Sequence, residues 1–303
     1  MQSLLLIDGN AIMHRAYHAL PPFRSKDKTP TNVIYGFLSM LNKVITDFKP
    51  THIASVFDTP KPTFRNEIFV DYQSQRPKIE DDFIIQIPLV KQALDEANIF
   101  RIEKDGFEAD DLIGTISKIF QSNNYRIIIV TGDKDIFQLI NANVFVASPQ
   151  LGLANIKIFN KTEVEQKLGI PPDKIVDYKA LVGDPSDNYP GAKGIGPKTA
   201  TNLIHRYGSV EKIYENLDNI QSEKIKAILI NEEKSVILSK KLATILTDVV
   251  IDLDIKKLIF NGFNKRLKTF LEKYQMNSLV NRMFNEKVNI VKNIKKESQM
   301  GLF

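Results

Sequence analysis

The first half of the chain alternates between short apolar runs and longer periodic segments. Each of three apolar runs is followed at once by a polar residue: residues 4–7 by Asp8, 52–57 by Asp58, and 126–130 by Thr131. Such runs predict buried strands. Apolar residues at spacings of three and four predict amphipathic helices over 33–48, 83–97 and 110–120. Strands that alternate with helices favour an α/β fold with a mostly parallel sheet covered on both faces.

The second half has a different pattern. From about residue 160 the apolar spacing becomes helical, with candidate helices over 164–168, 174–182, 198–207 and 224–247. We therefore expect an α/β part over 1–159 and a helical part over 160–284. Residues 285–298 are polar and contain lysine, which indicates that 285–303 is a flexible tail with a separate motif in its last five residues.

Composition narrows the class of protein. The 303 residues are 43% hydrophobic, enough for a sizeable core, and the net charge of +5 suits a polyanionic partner without proving one. No apolar stretch approaches the ~18 residues of a membrane span, and no secretory signal opens the chain. The absence of cysteine excludes disulfides and thiolate zinc sites. We expect a cytoplasmic monomer without membrane association.

Nine acidic residues mark the candidate chemistry. Parallel sheets bind ligands at the carboxyl ends of their strands, where several of these residues stand. They are Asp8, Asp58, Glu108, Asp110, Asp111, Asp133, Asp135, Asp184 and Asp187. Convergent carboxylates repel one another unless cations neutralise them, and an all-oxygen donor set favours Mg²⁺ or Mn²⁺. Two such ions support phosphodiester hydrolysis. Each acidic group alone is also typical of a turn or a helix N-terminus, so the hypothesis depends on the whole set.

A glycine-rich segment over 183–200 follows a predicted helix. Its Gly194-Ile195-Gly196 precedes Pro197 and a helix predicted from Lys198, which indicates a hairpin between helices. Backbone N–H groups there can hold duplex phosphates without reading bases. A plain helix–turn–helix connection is the alternative. A dinucleotide-binding loop is disfavoured, because the segment follows a helix and lacks the G-x-G-x-x-G spacing.

Three arginines, Arg15, Arg65 and Arg76, lie in segments beside the acidic strand ends. A guanidinium group can hold two oxygens of a phosphate at once. Solvation at the surface is the alternative for each of them.

Together, these motifs resemble the 5′ nuclease and flap endonuclease family, in particular the 5′ nuclease domain of bacterial DNA polymerase I and its stand-alone relatives. The resemblance covers about residues 3–284. Its matching segments are 7–9, 56–58, 64–65, 108–111, 131–135 and 183–200.

The resemblance implies a PIN-like fold whose helical part carries a helix-hairpin-helix DNA-binding motif. It implies that one Mg²⁺ or Mn²⁺ ion is held by Asp58, Glu108, Asp110 and Asp111 with the help of Asp8. It implies that the second ion is held by Asp133, Asp135, Asp184 and Asp187, partly through water.

The resemblance also implies a DNA-binding surface. Arg15 and Arg65 would be catalytic residues that bind the scissile phosphate, and residues near 65–95, including Tyr72 and Arg76, would arch over the 5′ strand. The residues expected to hold duplex DNA, with a K⁺ ion near Gly194, are Gly191, Lys193, Gly194, Ile195, Gly196, Lys198 and Thr199.

One position departs from the family. Many relatives carry Tyr-Lys in the arch, with a lysine that assists hydrolysis, whereas here Gln73 follows Tyr72. A neutral amide cannot supply that charge, so we expect either slower cleavage or substitution of the lysine by Lys78 or Arg76.

The last five residues, 299–303, resemble the pentapeptide by which bacterial proteins bind the sliding clamp. The anchors would be Gln299, Leu302 and Phe303. A chance hydrophobic terminus is the alternative for so short a motif. Its position at the end of the chain predicts a complete stand-alone nuclease.

These observations predict a structure-selective 5′ nuclease that acts on flaps, nicks and primer ends during DNA replication and repair. A weakly active accessory protein that binds junctions and the clamp is a second hypothesis, favoured only by Gln73. A PIN-type ribonuclease is a third, but it would have no need of the glycine-rich hairpin.

Overall fold

The fold is built on one six-stranded sheet, as seen in a computed structural model that describes residues 2–123, 125–150 and 155–284. The strands are β1 (Ser3–Asp8), β2 (His52–Val56), β3 (Phe100–Ile102), β4 (Arg126–Val130), β5 (Val144–Pro149) and β6 (Ile156–Phe159). Their order is β3-β2-β1-β4-β5-β6, and only β6 runs antiparallel to its neighbour. The predicted mostly parallel sheet is confirmed.

Helices cover the sheet and are the main elements of the described chain from Lys161 to Phe284. In the first half they are α1 (Gly9–Ala19), α2 (Asn32–Phe48), α3 (Phe64–Ile68), α4 (Asp81–Ile84), α5 (Gln86–Glu96) and α6 (Ala109–Ser122). In the second half they are α7 (Lys161–Leu168), α8 (Ile175–Val182), α9 (Pro197–Tyr207), α10 (Val210–Glu215), α11 (Glu223–Asn231), α12 (Glu233–Ala243), α13 (Lys265–Lys273) and α14 (Asn277–Phe284).

Alternation along β1 separates two hydrophobic layers. Leu4 and Leu6 face a core that includes α6 and most of the later helices. Leu5 and Ile7 face a second core that includes α1, α2 and α5. Because both faces are apolar, β1 has the continuous hydrophobic run that identified it as a buried strand.

The last two helices return to the first half of the chain. Helix α13 packs against α5 and α14 packs against α2. The buried side chains of Leu267, Leu271 and Leu279 join the core beneath α2 and α5. The main chain also bridges here, since the N–H of Phe260 donates to the carbonyl of Thr51 at 3.0 Å.

Several predicted strands and helices are confirmed, whereas the predicted bounds of other helices were wrong. The predicted segment 83–97 is two helices, α4 and α5, because Pro88 lies in the first turn of α5, where a missing N–H is tolerated. The predicted segment 224–247 is also two helices, α11 and α12, which separate at Glu232. Strands β3, β5 and β6 and helix α1 were not predicted.

Strand register determines where the acidic residues meet. Asp8 pairs with Val56 of β2, and Ile7 pairs with Val130 of β4, so Asp8 lies level with Thr131. The segments that follow β1, β2 and β4 therefore emerge at one edge of the sheet. No helix in the described part of the chain is long and apolar enough to cross a membrane.

Candidate metal centre

Asp8 ends β1 and caps the N-terminus of α1. Its carboxylate accepts hydrogen bonds from the N–H of Ala11 at 2.9 Å and from the Thr131 hydroxyl at 2.6 Å. Burial nevertheless raises the pKa of Asp8 to about 7, and the negative charges of Asp58 and Asp133 add to the rise. Its environment therefore disfavours the anion in the absence of a cation.

Asp58 and the N-terminus of α6 supply further carboxylates. Asp58 follows β2 and accepts from the N–H of Ala109 at 2.7 Å, while Glu108 is the N-cap of α6. Burial raises the pKa of Asp58 and raises the pKa of Glu108 to about 7. Burial, followed by the charges of Asp133 and Asp8, raises the pKa of Asp110 well above its usual range. The three groups are partly buried in one negative environment.

A second group of carboxylates lies between the sheet and the helical part. One oxygen each from Asp135, Asp184 and Asp187 lie within 4.8 Å of one another. Asp133 adjoins them, since its Oδ1 accepts from the N–H of Asp135 at 2.8 Å. Burial raises the pKa of Asp135 to about 6. Sites of this size and donor chemistry suit a divalent cation.

Lys179 is a site residue that the sequence analysis missed. It lies on the last turn of α8, and its ammonium group donates to both Asp135 and Asp184. Burial by itself lowers the pKa of Lys179, but the neighbouring Asp135 outweighs it, so the pKa of Lys179 is raised. Its spacing of five residues from Asp184 was the available clue, though a lysine near a helix C-terminus is common.

An open cleft of about 620 Å³ adjoins the second group of carboxylates. Its lining includes Arg15 from α1, Asp133 and Asp135 from the segment after β4, and Lys179 and Asp184 from the helical part. The buried carboxylates with raised pKa values, together with a donor set made only of oxygen atoms, fit divalent metal ions.

Asp111 differs from the expectation that it is a metal ligand. It is fully buried, and its two oxygens accept from Arg65 at 2.7 and 2.9 Å. The same oxygens accept from the N–H groups of Glu108 at 3.1 Å and Leu246 at 2.9 Å. Because each oxygen accepts two hydrogen bonds, one of them from the buried guanidinium group, the geometry makes Asp111 a support for Glu108 rather than a direct ligand.

Arg65 also differs from its expected role. Only 2% of it is exposed, and its remaining N–H groups donate to the carbonyls of Leu242 at 2.9 Å and Thr244 at 2.8 Å. A phosphate in the cleft cannot reach a guanidinium group enclosed in this way. Arg65 instead joins α3, α6 and the end of α12.

The arch segment closes over the second group of carboxylates. Tyr72 is 4% exposed, and its hydroxyl donates to Asp187 at 3.3 Å and to Glu108 at 3.4 Å, which leaves little of it for contact with DNA. Arg76 donates to Asp187 Oδ1 at 2.7 Å, and the N–H of Gln73 donates to the Asp187 carbonyl at 3.0 Å. Of the two candidate substitutes for the family lysine, Arg76 is thus the one placed at the carboxylates.

The glycine-rich hairpin connects α8 to α9, with Pro197 at the first helical position as predicted. Gly191 has φ +63°, and a Cβ there would meet the Gly183 nitrogen at 2.3 Å, so glycine is required. Among the expected DNA-binding residues, Gly191 and Ile195 are buried, whereas the others are exposed or partly so: Lys193, Gly194, Gly196, Lys198 and Thr199. The anchors of the clamp-like motif, Gln299, Leu302 and Phe303, lie outside the described residues.

Two protein-family models match this chain. The model of the 5′-3′ exonuclease N-terminal resolvase-like domain matches residues 3–169, and the model of the 5′-3′ exonuclease C-terminal SAM fold matches residues 170–266. The chain belongs to the 5′-3′ exonuclease family. The family resemblance and the fold class predicted from the motifs are confirmed.

Individual members of the family differ in length. A 5′-3′ exonuclease of Aquifex aeolicus is 40% identical, with 92% of this chain and 94% of that protein covered. DNA polymerase I of Bacillus subtilis is 38% identical over 87% of this chain, which spans only 30% of that polymerase. The bacteriophage T5 flap endonuclease, solved with DNA and metal ions, superposes with a TM-score of 0.69 at 19% identity, over 91% of this chain and 98% of that one. At that identity the likeness shows the fold.

Removal of the Arg65 charge tests its structural role. We expect Arg65→Met to lower the free energy of unfolding by about 3–5 kcal/mol, because it leaves Asp111 buried and unpaired. Lys61→Met, which removes an exposed ion pair with Asp105, should change it by less than about 1 kcal/mol. Urea unfolding in EDTA measures both. A stable Arg65→Met variant that has lost DNA cleavage would instead support phosphate binding by Arg65.

Proposed function

We propose that this protein is a structure-selective 5′ nuclease that hydrolyses phosphodiester bonds in 5′ flaps, at nicks and at primer ends, in replication and repair. The observation that carries the proposal is the close approach of carboxylates from both parts of the chain: oxygens of Asp135, Asp184 and Asp187 lie within 4.8 Å of one another, beside a cleft that Asp133 also lines. Membership of the 5′-3′ exonuclease family supports it.

The carboxylates divide into two candidate ligand sets. Asp8, Asp58, Glu108 and Asp110 would hold one Mg²⁺ or Mn²⁺ ion, and Asp133, Asp135, Asp184 and Asp187 would hold the other. When bound, two such ions supply positive charge for the scissile phosphate and the leaving oxygen, and they activate water. The protein fixes the ligands in advance through helix N-termini, Thr131 and the Arg65–Asp111 pair.

Cations of the protein itself complete the proposed cleft. Arg15 lines it and is proposed to bind the scissile phosphate. The exposed part of the hairpin, including Lys193 and Lys198 with the N-terminus of α9, is proposed to hold duplex backbone, with K⁺ near Gly194. This grip on a duplex favours DNA over single-stranded RNA as substrate. The lack of cysteine supports a reducing compartment, for which we propose the cytoplasm.

Flap cleavage tests the proposed activity. With Mg²⁺ or Mn²⁺, the protein should cut a 5′-labelled flap duplex near the junction, and Asp133→Ala should slow cutting by on the order of a thousandfold. Asp47→Ala, on an exposed ion pair of α2, should cut normally. EDTA should abolish cutting. Binding of the flap without cutting in either metal would favour the accessory-protein hypothesis, and faster cutting of single-stranded RNA would favour the ribonuclease.

Replacement of Arg76 by a neutral side chain tests its role as the positive charge of the arch segment. Arg76→Gln should lower the single-turnover rate on flap DNA by about a hundredfold, because it removes a charge placed at the carboxylates. Lys78→Gln, two residues away and exposed, should have a much smaller effect. The reverse order of the two effects would make Lys78 the substitute for the family lysine.

We also propose that the terminal motif binds a sliding clamp, an inference from residues 299–303 of the sequence alone. Deletion of these five residues should abolish capture by a purified bacterial clamp and leave the rate of flap cleavage unchanged. Replacement of Gln299, Leu302 and Phe303 by alanine should have the same effect. Undiminished capture after the deletion would exclude the motif as the clamp-binding site.

A further inference from the structure

The second ligand set already contains a positive charge. Lys179 lies 15% exposed between Asp135 and Asp184, which are 18% and 14% exposed, and it forms an ion pair with each of them. The two carboxylates come from different parts of the fold, one after β4 and one after α8. The ammonium group therefore lies where the two parts meet.

Lys179 occupies one carboxylate oxygen of Asp135 and one of Asp184, two members of the candidate ligand set. Asp184 Oδ2 accepts from Lys179, while Asp184 Oδ1 accepts from the N–H and the hydroxyl of Ser186. Both Asp184 oxygens are thus engaged inside the protein. A divalent ion that binds Asp184 through Oδ2 has to displace the ammonium group, because two cations cannot share that position without strong repulsion.

Tyr189 lies close enough to Lys179 to interact with it electrostatically. It is 3% exposed and stacks on Tyr72, and its hydroxyl has no hydrogen-bond partner among the residues that the structure describes. Lys179 and both of its partners are mostly buried, so water has limited access to the two ion pairs. The pairing of Lys179 with the carboxylates is therefore favoured as long as no metal competes.

We propose that Lys179 is an internal counter-cation of the second ligand set: it neutralises Asp135 and Asp184 before metal arrives and thereby weakens the binding of the second divalent ion. The inference deepens the proposed function and rests on it. Its consequence is that the two ligand sets fill in order, the set around Asp58, Glu108 and Asp110 first.

Metal titration of the full-length protein without DNA tests the inference. Mn²⁺ binding, followed by electron paramagnetic resonance and calorimetry, should resolve a tight and a weak ion. Lys179→Met keeps much of the side-chain length but removes the charge, so it should tighten the weak ion by about tenfold or more. Lys179→Arg should behave like the unaltered protein. Lys240→Met, which removes a lysine paired with Asp177 and Glu211, should leave both ions unchanged.

A second measurement uses the unaltered protein, in case Lys179→Met does not fold. Amine labelling followed by mass spectrometry should modify Lys179 several times faster when Mn²⁺ saturates the weak site, because the ion releases the ammonium group. The labelling rate of Lys240 should not change. A Lys179 rate that is independent of Mn²⁺, or a Lys179→Met protein that binds the weak ion no more tightly, would overturn the inference.

Different results would contradict the proposed nuclease activity and the proposed role of Lys179. A protein that binds no Mn²⁺ and cuts no flap DNA contradicts the proposed nuclease. A protein that binds two ions and cuts, but whose weak ion is insensitive to Lys179, contradicts only the counter-cation role.

Discussion

Electrostatic repulsion among carboxylates buried at one edge of the sheet is the constraint on which the rest of the structure depends. Burial and mutual repulsion raise the pKa values of Asp8, Glu108 and Asp135 to about 6 or 7. The fold must hold these groups together at a cost in stability that ordinary packing would avoid. Helix N-termini, one hydroxyl group and a few cations compensate part of that cost, and divalent ions fit the remainder.

The groups that stabilise the buried carboxylates come from both the α/β part and the helical part. The sheet supplies Asp8, while the helical part supplies Asp184 and the carbonyls that hold Arg65. Arg65 contacts Asp111, 46 residues away, and Leu242, 177 residues away. The second ligand set is therefore formed only when the α/β and helical parts are packed together, whereas the first set lies within the α/β part and is supported by Arg65 through the helical part.

Much of this could be predicted from the sequence, for physical reasons. Parallel strands buried on both faces leave continuous apolar runs, so β1, β2 and β4 were identified together with the acids that follow them. Short or edge strands such as β3 and β6 bury too few residues to leave such a run. The pattern also cannot show which cation pairs with which acid. Arg65 and Lys179 acquire their partners through tertiary contacts, and sequence spacing therefore misjudged the first and missed the second.

The contact between Arg76 and Asp187 links the binding of metal at Asp187 to the release of the arch segment. One Asp187 oxygen accepts from Arg76 and the other from Tyr72, so a cation that bonds to either oxygen competes with the arch segment. Thermodynamic reciprocity then requires that metal binding loosen the arch by the same factor by which release of the arch strengthens metal binding. In the proposed nuclease, a DNA strand whose phosphates drew Arg76 away from Asp187 would thus raise the affinity of the second ligand set for metal. Substrate and cofactor would bind with positive cooperativity through one shared carboxylate.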